Sequence, residues 1–290
     1  MAADWLVVFN NFAAGSYHDG TVLPVDFVGI DGLGDIPEVI SADRPRLRRH
    51  GIIAGDDFLG ARTITVRYIF DQASWVDDLA RMRRAFQPCT EELPLQFRVP
   101  GVAGMPEDTW DARTVMARVR RRSIPTTLEF RMGLAFADVQ FICTDPRIYG
   151  GTVTNEVFLP VSINGLAFDA AFPMSFGGNN VSGSMSFNNE GDFATEWTAT
   201  IRNACTNPRI INNTTGAYLQ FNTTLVDGET LSIDSQNRTA TLNGVASRYY
   251  TISVGSTWFD LPPGNTDLVF RADAYSPSAV LRVDAAPAWM

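Results

Sequence analysis

Period-two alternation recurs along this chain, and it most narrows what the chain can fold into. In Thr63–Phe70, the residues Ile64, Val66, Tyr68 and Phe70 fall on one face. In Leu93–Val99, the residues Leu93, Leu95, Phe97 and Val99 do the same. Successive side chains point to opposite sides of a strand, so such runs lay one apolar face of a sheet on a core. Pro94 has no N–H to give to a ladder, which predicts an edge position for the second run. Val115, Ala117 and Val119 alternate with Arg118 and Arg120, so on a regular strand Arg118, Arg120 and Arg122 line one face. Leu128–Cys143 reads as one long strand or a broken pair. Further on, Trp197, Ala199 and Ile201 alternate with Thr198, Thr200 and Arg202. Glu229–Asp234 and Thr239–Asn243 flank the polar stretch Ser235-Gln236-Asn237-Arg238, which predicts a hairpin that buries Leu231, Ile233, Ala240 and Leu242.

One segment has a helical period instead. From Ser74 to about Phe86, the residues Trp75, Leu79, Met82 and Phe86 form a single apolar stripe, which reads as core. Ser74 is placed to cap the first N–H groups, and Asp77 and Asp78 suit the positive end of the helix dipole. Arg81, Arg83 and Arg84 suit the negative end, and Pro88 stops the helix.

The chain changes character at Gly150-Gly151. Residues 1–150 carry 17 Arg against 20 acids, and residues 151–290 carry 6 against 12. The second part is also richer in Asn, Thr, Ser and Gly. A glycine pair is a natural hinge, so two domains are expected, 1–150 and 151–290. The first mixes strands with one helix. The second, with short strands and a turn signal every ten or so residues, reads as a sandwich or jelly roll.

Composition removes several function classes. The net charge of −9 gains nothing from counterion release on a phosphate backbone, so nucleic-acid binding is not the main task. No apolar run is long enough to span a membrane. The N-terminal MAADWLVVFNNF has an acid where a secretion signal carries basic residues, which predicts a product that stays in the cytoplasm where it is made. Cys89, Cys143 and Cys205 are an odd number without CxxC spacing and read as small buried hydrophobes. His18 and His50 are isolated, and no HExxH, GxSxG, P-loop or GxGxxG is present. Asp31–Asp35, DGLGD, lacks the spacing of a calcium loop and reads as a turn. No catalytic residue, metal site or cofactor is therefore assigned.

What remains points to surfaces. The arginines Arg118, Arg120 and Arg122, the helix Ser74–Phe86, and Trp110 in the long loop Pro100–Ala112 are candidates for a subunit interface. Tyr249, Tyr250 and Trp258 are candidates for stacking on a glycan, with a sandwich core as the other reading; Trp197, in phase with Ala199 and Ile201, reads as core.

Several stretches together resemble the distal tail protein family of siphophages, of the actinobacterial-phage type. They are GIDGLGDIPEVI (Gly29–Ile40), RRHGIIAGDDFLGARTITV (Arg48–Val66), VQFICTDPRIY (Val139–Tyr149) and STWFDLPPGNTDLVF (Ser256–Phe270), the last with Trp258, Leu261, Pro263, Gly264 and Asn265 in the family's pattern. They keep their order over almost the whole chain. The resemblance implies a mainly β protein with an N-terminal α+β, tail-tube-like ring domain and a C-terminal galectin-like or carbohydrate-module-like sandwich. It implies a structural virion protein at the tail tip, with six copies in a ring. That ring would join the tail tube and tape-measure protein to the tip hub or receptor-binding proteins and leave a channel for DNA. Acidic side chains in such a channel would repel DNA rather than bind it. The rival readings are a carbohydrate-binding adhesin module, which predicts a monomer that binds cell-surface glycan, and a β-rich glycosidase, which predicts two carboxylates facing across a cleft.

Overall fold

The structure is a computed structural model that describes residues 5–16, 22–70, 74–106, 112–160 and 183–290. It is mainly β and separates into two compact units, Met1–Gly151 with Trp289–Met290, and Thr152–Ala288. The expected second domain therefore loses its last two residues. Trp289 is only 5% exposed and packs with the first unit's core.

In the first unit the strands are β1 (Leu6–Phe9), β2 (Phe12–Gly15), β3 (Asp26–Asp31), β4 (Val39–Ser41), β5 (Arg44–Pro45), β6 (Ile52–Ile53), β7 (Asp57–Leu59), β8 (Arg62–Phe70), β9 (Leu93–Arg98), β10 (Arg113–Ser123), β11 (Ala135–Cys143) and β12 (Ile148–Tyr149). Helix α1 (Trp75–Ala85) lies between β8 and β9, and the short α2 (Leu128–Arg131) lies between β10 and β11. An antiparallel path runs β2-β1-β9-β10-β11-β8-β3. Its inward residues alternate along each strand: every second residue is buried from Arg62 to Phe70 in β8 and from Ala135 to Cys143 in β11. Leu79, Met82 and Phe86 of the helical stripe close the same core, where Phe9, Phe12, Tyr68, Phe86 and Phe141 form an aromatic cluster with Phe9 and Phe141 rings 4.9 Å apart.

Three local expectations need correction. β9 is not an edge, because β1 and β10 flank it; Pro94 is tolerated because β1 pairs only from Leu95 to Arg98, so no partner on that side asks for its N–H. Leu128–Cys143 is a helical turn followed by a strand. Ser74 does not cap the backbone; its hydroxyl donates to the Asp78 carboxylate at 2.7 Å, and Arg81 donates to the same group at 2.9 Å. Leu6–Phe9, in the apolar N-terminal run, is a strand, joined to β2 through Asn10 and Asn11 at φ 46° and 62°. Two such left-handed residues give the tight hairpin turn that matches strand twist.

In the second unit the strands are β13 (Val153–Phe158), β14 (Ser184–Asn189), β15 (Trp197–Arg202), β16 (Cys205–Thr206), β17 (Arg209–Asn212), β18 (Tyr218–Gln220), β19 (Thr224–Leu225), β20 (Thr230–Asp234), β21 (Thr239–Leu242), β22 (Ala246–Ser247), β23 (Gly264–Arg271), β24 (Ala274–Tyr275) and β25 (Val280–Ala285). One sheet is ordered β13-β25-β15-β20-β21-β22 and another β14-β23-β17-β18. Both feed one core, with Trp197, Ile201, Leu231 and Leu281 from the first and Phe187, Ile210, Leu219 and Phe270 from the second. This is a β-sandwich. The expected hairpin is present, with Leu231 paired to Leu242 and Ile233 to Ala240. The Trp197 indole is buried and donates to the Phe259 carbonyl at 2.8 Å.

Candidate functional site

The basic run on β10 is divided by its own backbone. A bulge between Val119 and Arg121 shifts the register against β11, so Arg118 pairs with Ile142 and Arg121 with Gln140. One extra residue inverts the side-chain phase. Arg118, Arg120 and Arg122 therefore do not share one face. Arg122 turns toward the helix and donates to the Arg83 and Phe86 carbonyls at 2.6 and 3.1 Å, which satisfies the C-terminal end of α1. Arg120 is exposed. Arg121 lines a shallow polar depression with Thr65, Arg67, Ser123, Asp138 and Gln140. Arg67 and Asp138 pair across it at 2.7 Å. Two arginines and one carboxylate line this depression.

Trp110 lies outside the described residues. The described start of its loop is folded inward: Gly101 and Met105 are bonded backbone to backbone at 3.0 Å, and Met105 is 3% exposed. Of the three aromatic candidates in the second unit, Tyr249 and Tyr250 are 54% and 76% exposed at a turn of 3-10 helix. Arg248 donates to the Tyr250 hydroxyl at 3.3 Å. Trp258 is half-buried against the sandwich core.

Between β3 and β8 the basic, loop-like run around His50 is the tip of a paired ribbon, which alternation does not mark. The residues from 38 to 58 are all exposed. They form a two-stranded ribbon, β4 with β7 and then β5 with β6. Val39, Ile40, Leu47, Ile52, Ile53 and Phe58 stand on it between 49% and 93% exposed, and its tip is Arg44-Pro45-Arg46-Leu47-Arg48-Arg49-His50. The sequence signal was present: apolar pairs at Val39-Ile40 and Ile52-Ile53 flank a basic run with Gly51 beside it.

Residues 190–281 match the family model of the siphovirus-type tail component, C-terminal domain. Over its whole length the chain has the fold of the Dit protein of phage SPP1, described as a paradigm of the hub adsorption apparatus in phages that infect Gram-positive bacteria. The match is at 14% identity with a TM-score of 0.63 and covers 97% of this chain and 98% of that one. Residues 190–281 are thus similar to the C-terminal domain of siphovirus-type tail components, and the likeness to the Dit protein is one of fold. Chains of the phage p2 baseplate in its activated conformation, with calcium and with strontium, also match. Their identities are 10% and 9% and their TM-scores 0.46 and 0.45, with coverage of 98% and 97% of both chains in each pair. No curated protein sequence matches.

Several ionisable groups of the chain are built into its fold. The DGLGD turn is a backbone cradle for an arginine. Arg62, 1% exposed, donates to the carbonyls of Gly32, Leu33 and Asp35 at 3.0, 3.0 and 2.7 Å, and to Pro146 at 2.7 Å. Gly32, at φ 83°, has no room for a Cβ, which would lie 2.0 Å from the Thr63 carbonyl oxygen. Burial pushes the thiols of Cys143 and Cys205 up to about 12 and about 11, so neither forms the thiolate a nucleophile needs. Among the described residues, no three His, Cys, Asp or Glu side chains come together as metal ligands, and no helix is long and apolar enough to cross a membrane.

Proposed function

We propose that six copies of this chain close into a ring through their first units. The ring sits at the tail tip and joins the tail tube and tape-measure end to the hub or receptor-binding proteins, and DNA passes through its channel without specific binding. The observation that carries this reading is the fold match along the whole chain to a hub protein of an adsorption apparatus. The first unit supports it: among the described residues β2 and β3 end the strand path with an edge unpaired along most of their length, and closed symmetry is one way a β protein covers such edges.

Light scattering after size exclusion tests it. Six copies of 31.9 kDa give a mass near ~191 kDa, and negative-stain images should show rings. A monomer in solution together with tail tips that lack a ring of this chain would overturn the reading. The exposed pair Tyr249 and Tyr250 favours a second reading, a glycan-binding module that works without a ring. Selective retention on a glycan array by a monomeric chain would support that reading instead.

A further inference from the structure

Among the described residues, nothing of its own unit covers the ribbon of residues 38–58. A two-stranded hairpin is marginally stable by itself in water and gains stability by packing. This one is exposed on both faces and carries six large apolar side chains. It is nonetheless held in place. Arg62 fastens its root through the Gly32–Asp35 carbonyls. At mid-length, the Asp43 carboxylate accepts from the Gly55 N–H at 2.8 Å, and Ala42 donates to the Asp56 carbonyl at 3.3 Å. A pre-organised ribbon loses less entropy on docking than a floppy one.

The first unit also has a place that such a ribbon fits. The two ends of the strand path meet where Gly15 donates to the Val25 carbonyl at 2.9 Å, and then diverge. The gap is a groove of about 410 Å³ lined by Trp5, Phe27, Val28, Ile30 and Val99, with Asp26 beside it. Trp5 and Val28 are 44% and 60% exposed. Among the described residues β3 pairs with β8 alone, and Asp26–Ile30 of β3 line the groove. Charge selects the occupant. The tip at 44–50 holds four arginines and no acid, and the groove lining holds the carboxylate of Asp26 and no basic side chain.

We propose that the ribbon docks in the β3 groove of a second copy of this chain. Its apolar side chains cover Trp5 and Val28, its backbone extends the β3 edge, and its arginines meet Asp26. A ribbon of 21 residues matches the roughly 20–30 residues per side of a standard interface. This is a head-to-tail contact, which closes into a ring when its rotation allows; the inference rests on the ring reading and supplies its contact.

Cross-linking tests it in the full chain with Cys89→Ser. One variant adds Leu47→Cys at the tip and the other adds Val28→Cys at the groove; both positions are exposed, so neither change disturbs a core. Mild oxidation of the mixture should give a disulfide-linked dimer that neither variant gives alone. Adding Arg46→Glu and Arg48→Glu to the tip variant should cut its yield about tenfold or more. An oligomer by light scattering without the mixed disulfide overturns the docking and leaves the ring standing. A mixed disulfide in particles of some mass other than six copies supports the docking and overturns the ring. A monomer without the disulfide, or a dimer from the Leu47→Cys chain alone, overturns the docking.

Discussion

Tyr68 stands with its whole side chain inside the aromatic cluster of the first unit, and its hydroxyl has no hydrogen-bond partner there. Its ring packs against Phe12 at 5.8 Å and Phe86 at 5.5 Å. Burial raises the phenol's pKa far above its ordinary value, so the group stays neutral. A buried hydroxyl left without a partner costs about 1–3 kcal/mol, whereas the ring contributes packing with or without it. Tyr68→Phe should therefore stabilise the first unit by roughly 1 kcal/mol, which calorimetry would show as a rise of about 2–4 °C in Tm. A fall in Tm would mean that the hydroxyl is bonded in solution. Arg62 is the opposite case. It lies one step before Ile64 in the inward phase of β8, where a charge is out of keeping with its neighbours. Only the fold shows why it is tolerated: the carbonyls that receive it come from the turns at 32–35 and at 146, far from it in sequence. Alternation shows which residues face inward. It does not show which distant backbone turns toward them.

Strands and the helix were legible because each has its own period and is bounded by turn residues. Ile64, Val66, Tyr68 and Phe70 are buried together, and so are Leu79, Met82 and Phe86. The arginine face was not legible, because a bulge leaves no periodic trace: Arg120 is one more residue in an alternating run until the register against β11 is known. The ribbon escaped for a related reason, since its apolar pairs resemble short buried strands and only the fold shows them exposed. The division of β10 separates two roles that charge alone would merge. Arg122→Glu places a carboxylate against the Arg83 and Phe86 carbonyls at the negative end of α1. It should cost about 1–2 kcal/mol and lower the first unit's Tm by several degrees. Arg120→Glu, at an exposed position, should leave Tm within about 1 °C of the parent. Thermal melts of the two variants side by side check this; equal losses would mean that Arg122 does not hold the helix end.

The chain leaves its first unit at Gly151 and resumes it at Trp289, with the sandwich occupying the sequence between. The glycine pair and the change in composition are visible in the sequence. The return is not, because one tryptophan after a run of strand residues has no periodic partner. Within the first unit that tryptophan fits a socket. The Arg113 guanidinium lies 3.8 Å from the centre of its ring. A Cβ on Gly104 would come within 2.6 Å of the indole nitrogen, and one on Gly150 within 3.0 Å of the ring. Two glycines at contact distance allow the close approach, and a stacked guanidinium over an indole adds roughly 0.5–2 kcal/mol. Arg113 also donates to the Ala103 carbonyl at 3.2 Å, which ties the socket to the loop after β9. Trp289→Ala removes a buried aromatic and leaves a cavity beside the guanidinium, at a cost of about 3–5 kcal/mol. The cost should fall on the first unit although the residue follows the whole sandwich in sequence. Hydrogen exchange should then show faster opening of amides in β10 and β12, with protection in β15 and β20 unchanged. Equal loss of protection in both units would mean that the two unfold as one, and no loss in β10 would show that the socket contributes nothing.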